Sequence, residues 1–398
     1  MTDREPDLTR ARDLAMELMA IPGKSGEEAE VSRYVSGKLR AAGVPAEIIV
    51  NDRVQRRTPL NGDTGNLILK LKGTRRGARR LLAGHLDTVP ICVGSKPLLR
   101  GREVRSASRG TGLGADNRAA CAVLLAAALE IVERGLPHPP VTFCWFVQEE
   151  VGLQGSQRVS KASLGNPRLA FNWDGGGAAR LVVGATGAYR LHMEVGGVAS
   201  HAGGAPERGV SAIAIAARAI ADLDRAGWHG KVEKDDGSGT SNVGVIQAGE
   251  ATNVVSDSAI VRAEARSHDP TFRKRIVREF EQAFRRAAAR AINVDGVTGR
   301  VKVSATLDYE SFKLPLNEPC VLAAAAAAQS AGATPQFHIA DGGLDANSLT
   351  ARGIPTVTMG VGQRNAHTIN ETLNLDDFEL ACRMALRLAT ATESQAAG

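Results

Sequence analysis

The sequence predicts an α/β protein in which one α/β domain, made from two separate stretches, carries a smaller ferredoxin-like (α+β) domain inserted between them. Three observations point this way. At 398 residues the chain is too long for one ordinary core and asks for two domains or three. Apolar strand-type runs alternate with helical runs over residues 1–186 and again over 313–398, the rhythm of a mixed or largely parallel sheet. Residues 187–312 read instead as β-α-β-β-α-β, the order of a ferredoxin-like unit.

Leu8 to Met19 has helical apolar spacing. Ser25-Gly26-Glu27-Glu28 reads as a capping box at the head of a second helix that ends near Gly43. Asn66 to Leu71 alternates as a strand, and Arg80 to Gly84 begins another. Ala119 to Arg134 is a long apolar helix. Val141 to Val147 is a continuous apolar run, suited to a strand covered on both faces, and Arg168 to Trp173 is similar. In the inserted stretch, Tyr189 to Val195, Ser241 to Gln247, Ala259 to Arg266 and Val301 to Leu307 read as strands. Val210 to Arg225 and Pro270 to Ile292 read as helices, the second opened by Asp269 as cap and Pro270 in the first turn. The α/β rhythm then returns with an alanine-rich helix (Val321 to Ser330), a strand (Thr356 to Met359) and a last helix from Asp376.

Composition excludes several classes. The net charge is +6 and the isoelectric point near 9.2, but the basic residues are spread along the chain and no run is interleaved with aromatics. That pattern describes solvated faces rather than a nucleic-acid platform, so no nucleic-acid partner is expected. The five cysteines form no Cys-x-x-Cys pair and sit mostly in apolar surroundings, as reduced core thiols do. The first residues are acidic and broken by Pro6, unlike a signal peptide, and no apolar run approaches the roughly 18 residues of a membrane span. A cytoplasmic protein without a membrane partner is the expectation.

Acids and histidines recur where the predicted strands end. Gly84-His85-Leu86-Asp87-Thr88 follows the apolar run Leu81-Leu82-Ala83. On extended backbone His85 and Asp87 point to one side, where they can hold a metal or one can orient the other. His-x-Asp also occurs by chance in surface strands. Asp116 stands just before the helix at Ala119 and could equally be its N-cap. Glu149 and Glu150 end the Val141 run, where a solvated loop is the alternative. Asp174 lies between an apolar strand and a glycine turn, and His367 in a polar loop. If the strand ends converge, His85, Asp116, Glu150, Asp174 and His367 offer two imidazoles and three carboxylates. That set suits two divalent ions if one carboxylate bridges them. With no thiolate it fits two zinc ions in a hydrolytic site, cobalt or manganese being the alternatives. Such a pair can activate a water and polarise a carbonyl. Adjacent residues of a regular strand face opposite ways, so of Glu149 and Glu150 one can ligate while the other faces the substrate.

These segments together resemble the co-catalytic zinc peptidase superfamily of aminoacylase, glutamate carboxypeptidase, succinyl-diaminopimelate desuccinylase and peptidase T. The resemblance covers nearly the whole chain and is closest to peptidase T-like members. Gly84 to Thr88 matches the first motif, Gly114 to Asn117 the second and Gln148 to Gly152 the third, with Asp174 and His367 as the remaining ligands. It implies a catalytic di-metal domain of residues 1–186 and 313–398 and a lid or dimerisation domain of residues 187–312. His85 and Asp174 would bind one metal and Glu150 and His367 the other, with Asp116 bridging. Asp87 would fix His85 from behind, and Glu149 would be the general base that later protonates the leaving amine. In the inserted domain His201 matches the lid histidine, which in relatives binds the developing oxyanion, often in a partner subunit. A homodimer through that domain is implied. Asn253 and Arg266 match positions that bind substrate carboxylate or the oxyanion. Gly342 to Asn347 resembles the Gly-Gly-x-Asp-Ala stretch of peptidase T-like members, with Leu344 in place of the usual serine or threonine.

The activity so implied is exopeptidase cleavage of short peptides, of the tripeptide aminopeptidase type. N-acyl amino acid amidohydrolase and dipeptidase activities use the same ligands and stand as the alternatives. Outside catalysis, a metal- or peptide-binding protein that has kept the fold is the other class. A related aminopeptidase clan shares Gln-Glu-Glu-Val-Gly but carries its insertion between the first histidine and the bridging aspartate. Here His85 and Asp116 are only 31 positions apart, which argues against that clan.

Overall fold

Asp7 opens the first helix, its carboxylate accepting the Arg10 amide at 2.9 Å. The structure, a computed structural model, describes residues 5–391. The first helix is α1 (Leu8–Ala20) and the second α2 (Ala29–Ala41). The expected capping box does not form at α2. Glu28 occupies the cap position without a side-chain cap bond, and the Ser25 hydroxyl donates to Asp87 instead, at 2.7 Å. The serine hydroxyl is used as a donor to a buried carboxylate and not as an acceptor for the free amides of the helix end.

The chain continues through β1 (Ile49–Asn51), β2 (Leu67–Leu71), β3 (Arg80–His85), the hairpin β4 (Pro97–Arg100) and β5 (Glu103–Ser106), and α3 (Ala115–Arg134). Then come β6 (Val141–Phe146), the short α4 (Gln154–Arg158), β7 (Leu169–Trp173) and β8 (Arg180–Ala185). Every residue of α3 from Ala115 to Ile131 is buried, which is why it reads as apolar all round rather than striped. It packs against α1 and β3. Asp116 is not the helix cap: Gly114 holds that place, and Asp116 and Asn117 have non-helical backbone within the first turn.

The chain divides into two compact units. One joins the stretch up to Ala185 with that from Lys313 onward, and the other is Thr186–Phe312. The inner unit holds β9 (Gly187–Gly196), β10 (Ser200–His201), α5 (Ala212–Arg225), β11 (Gly230–Lys234), β12 (Gly237–Ala248), β13 (Val254–Val255), β14 (Ser258–Ser267), α6 (Pro270–Arg290) and β15 (Arg300–Tyr309). Ser211 caps α5, and the Asp269 carboxylate accepts the Thr271 amide at 2.7 Å to cap α6. The sheet order β11-β12-β14-β9-β15 is antiparallel throughout. It is the ferredoxin-like arrangement with β11 added at one edge. Leu191, Met193, Ile215, Val261, Ile276 and Phe280 belong to its own core.

After the inner unit come β16 (Phe312–Lys313), α7 (Pro319–Ser330), β17 (Gln336–Ala340), α8 (Asp345–Ala351), β18 (Thr356–Met359), β19 (Gln363–Arg364), β20 (Thr372–Asn374) and α9 (Leu375–Thr390). The main sheet of the outer unit runs β1-β2-β6-β3-β7-β18-β8, with β17 also beside β8. Its centre is parallel: β3 with β6 and β7, and β7 with β18. Strands β3 and β6 are buried at every position, as their unbroken apolar runs require. Among the described residues no helix is long and apolar enough to cross a membrane.

Candidate metal centre

Because β3, β6, β7 and β18 run parallel, their carboxyl ends meet at one edge of the sheet. His85 is the last residue of β3, and Asp174 directly follows β7. Glu149 and Glu150 come three and four residues after β6, and His367 lies in the loop beyond β18. Asp116 reaches the same edge from the start of α3, where the Asn117 side chain donates to the Trp173 carbonyl at 2.8 Å. The strand β6 ends at Phe146, so Glu149 and Glu150 are not alternating strand residues. They sit in a turn begun by Gln148 in left-handed backbone (φ 56°), and the turn makes them diverge.

The centre of the cluster is Asp116. Its Oδ1 is 3.3 Å from His85 Nε2 and its Oδ2 is 3.3 Å from His367 Nε2. His367 Nε2 also lies 2.9 Å from Glu150 Oε1. On the other side, His85 Nε2 is 3.9 Å from Glu149 Oε2 and 4.0 Å from Asp174 Oδ2. Two groups of donors are spaced as if around an ion: His85 with Asp116 and Glu150, and His85 with Glu149 and Asp174. The five side chains expected to converge therefore do so, with Asp116 between the two imidazoles and Glu149 beside His85.

The electrostatics suit cations. Burial pushes Glu149 well above the usual carboxylate range, and burial with the nearby Asp116 charge pushes Asp174 up to about 8. Burial also raises Glu150. Asp116 goes the other way: burial acts upward but is outweighed by His367 and His85, which hold it below its ordinary value. Hydrogen bonds to Asp116 and Glu150 lift His367 to about 10. Four carboxylates in a space this small repel one another when ionised. The buried Asp116 Oδ1, 3.3 Å from His85 Nε2, has no hydrogen-bond partner. An orphaned oxygen amid imidazoles and carboxylates fits divalent metal ions.

A second layer holds this set. Asp87, fully buried, lies 3.3 Å from His85 Nδ1 and accepts the amides of Glu149 at 3.0 Å and Glu150 at 3.1 Å. Glu371 and Gln363 are absent from the sequence reading. Glu371 accepts the amides of Leu113 (2.9 Å), Gly114 (2.7 Å) and Asp116 (2.9 Å), fixing the loop that presents Asp116. The Gln363 amide donates to Asp174 Oδ1 at 3.0 Å. The only signal for Glu371 was an acid four residues after His367 in a polar loop. Asp345, in the Gly-Gly-Leu-Asp stretch, is buried, and neither carboxylate oxygen has a hydrogen-bond partner.

In the inner unit, pairing of β10 with β13 brings His201 beside Asn253, whose carbonyl accepts the Ala202 amide at 2.9 Å. His201 Nδ1 accepts from the amides of Gly203 (3.2 Å) and Gly204 (3.0 Å), which places its proton on Nε2. Arg266 is not in that group. It lies eight positions along β14 from Ser258, about 27 Å at a strand's rise, and its guanidinium is held by Glu264 at 3.0 Å.

Residues 81–391 match the model of peptidase family M20/M25/M40. The chain belongs to this family. As a member of peptidase family M20/M25/M40 it is a hydrolase. It is 30% identical over 375 residues to the uncharacterized protein YqjE of Bacillus subtilis strain 168, covering 94% of this chain and 95% of that one. Among solved structures it superposes on a tripeptidase from Staphylococcus aureus subsp. aureus Mu50 with a TM-score of 0.86 at 29% identity, covering 99% of this chain and 100% of that one. The aminopeptidase PepT from Bacillus cereus ATCC 10987 gives 0.82 at 30% identity with the same coverage. The expected peptidase T-like character and α/β fold with its insertion agree with these likenesses.

Proposed function

We propose that this M20 peptidase is a two-metal exopeptidase that releases the N-terminal residue of short peptides, tripeptides in particular. The observation that carries the reading is Asp116, one oxygen toward each histidine, beside a buried glutamate on a chain similar over its full length to a tripeptidase and a PepT aminopeptidase. His85 and Asp174 would hold one ion, Glu150 and His367 the other, and Asp116 both. Two zinc ions, or cobalt or manganese, would supply a polarised carbonyl and an acidified water. The chain's own part is proton handling. Glu149, buried and raised in proton affinity, takes the water's proton and returns it to the leaving amine. Asp87 keeps the His85 proton on Nδ1 so that Nε2 faces the cluster. We further propose that the inner unit dimerises the protein, and that the protein is cytoplasmic, in keeping with five buried, unpaired thiols.

The test is an assay of the protein reconstituted with zinc, cobalt or manganese on tripeptides, dipeptides and N-acyl amino acids. Release of the N-terminal residue from tripeptides, abolished by chelation and restored by metal, is the expected result. Deacylation without peptide cleavage would replace this reading with an N-acyl amino acid amidohydrolase.

A further inference from the structure

The segment between α1 and α2 does not cap a helix; it faces the back of the metal centre. Ser25 donates to Asp87 Oδ2 at 2.7 Å. Glu28, with no solvent exposure, accepts the Gln148 amide at 3.0 Å. Asp87 accepts the next two amides, Glu149 and Glu150. Three successive amides of one turn thus end on two buried carboxylates, one of which is itself oriented by Ser25. These amides donate to buried carboxyl oxygens, and the three bonds fix a turn that starts from a left-handed residue.

The segment is anchored for this purpose. The Gly23 carbonyl accepts from the Thr88 amide at 3.1 Å and from buried Arg118 at 3.0 Å. The Gly26 carbonyl accepts the Asp63 amide at 3.0 Å. Gly62 makes the close approach possible: a Cβ there would stand 2.9 Å from Gly26 Cα and 2.6 Å from Gln148 Nε2. Glu28 serves the helix only through its backbone carbonyl, which accepts the Ser32 amide at 3.0 Å; its side chain caps nothing and turns inward to the Gln148 amide.

We infer that Ser25 and Glu28 are positioning residues for the reaction: they set the turn that aims Glu149 at the water and Glu150 at the second metal. The inference rests on the two-metal reading above. Neither residue touches the reacting atoms; each acts through Asp87 or the Gln148 amide. Outer partners of this kind change metal affinity or activity by about 10–100-fold when removed.

The experiment compares Ser25→Ala, Ser25→Thr, Glu28→Ala and Glu28→Gln with the wild type. It reads kcat and KM on a tripeptide, cobalt affinity from the visible spectrum, and melting of the metal-free protein. Ser25→Ala and Glu28→Ala should lower kcat or cobalt affinity by about 10–100-fold with KM within about threefold. Threonine keeps the hydroxyl and glutamine keeps the acceptor oxygen, so both should return to within about threefold of wild type. Unchanged kcat and cobalt affinity in the alanine variants would overturn the inference. So would losses that the conservative variants do not restore, or a fall of more than about 10 °C in metal-free melting, which would make the segment a structural tie. A wild type that cleaves no peptide or amide when loaded with cobalt would instead remove the exopeptidase reading, and one that binds no cobalt would remove the two-metal reading.

Discussion

Asp116 faces both histidines while Glu149 faces only one, and this difference separates their expected phenotypes. Glu149→Ala should lower kcat by about 10²–10⁴-fold, the scale of a lost general base, with metal content still near two ions per chain. Asp116→Ala should lose metal as well as activity; elemental analysis beside the assay distinguishes them. Protonation gives a third prediction. Asp174 rises from an ordinary 3.8 to about 8 in the metal-free fold, so the folded protein holds a proton there that the unfolded chain gives up. Stability from this group is therefore lost as pH rises from about 4 to about 8. His367, raised from 6.5 to about 10, adds a loss from about 6.5 upward. Asp116, which is lowered, contributes at any pH above its ordinary 3.8 and loses that contribution only in acid. Metal ions require the deprotonated carboxylates and neutral imidazoles. The rise in melting temperature on adding zinc should thus be larger at pH 8 than at pH 5. An equal rise at both would place the ions elsewhere.

At the level of elements, the loops after the parallel strands do the work and the strands set their spacing. Gly62→Ala forces a Cβ against the backbone of Gly26, so it should destabilise the outer unit by about 1–3 kcal/mol, seen as a lower urea midpoint. This scale also explains what could be read from the sequence. His85, Asp116, Glu149, Glu150 and Asp174 were legible because each sits at a strand end or glycine turn, and His367, in a polar loop, because its order among them matches a family pattern. Glu371 and Gln363 were not, because they act through backbone amides or one oxygen of another side chain, and such contacts leave no spacing in the sequence. Ser25 and Glu28 were visible but misassigned: the pattern Ser-x-x-Glu fits a helix cap, and only tertiary contact shows which acceptor the serine takes. The β11 edge strand and the β4–β5 hairpin were missed, being short and half exposed.

For the whole molecule, the inner unit has its own core and its two ends are neighbours, since Ala188 at the start of β9 pairs with Tyr309 at the end of β15. Residues 186–312 expressed alone should therefore unfold cooperatively, and calorimetry of the full chain should resolve two transitions. A single transition, with the excised unit unfolded, would show that its core is not self-sufficient. The same insertion has a consequence for synthesis. Strands β7 and β8 are consecutive in the chain, yet β18 lies between them, paired with Thr356 beside Ala170 and with Thr358 beside Val182. While the ribosome makes the intervening residues, both strands present open backbone edges with nothing to fill the gap. Such edges recruit other chains. The nascent protein therefore passes through a vulnerable interval that closes when β18 emerges, and the residues that complete the cluster, His367 and Glu371, are translated just after it. Peptide cleavage cannot begin on a half-made chain, and slowing translation between β8 and β18 should raise the aggregated fraction.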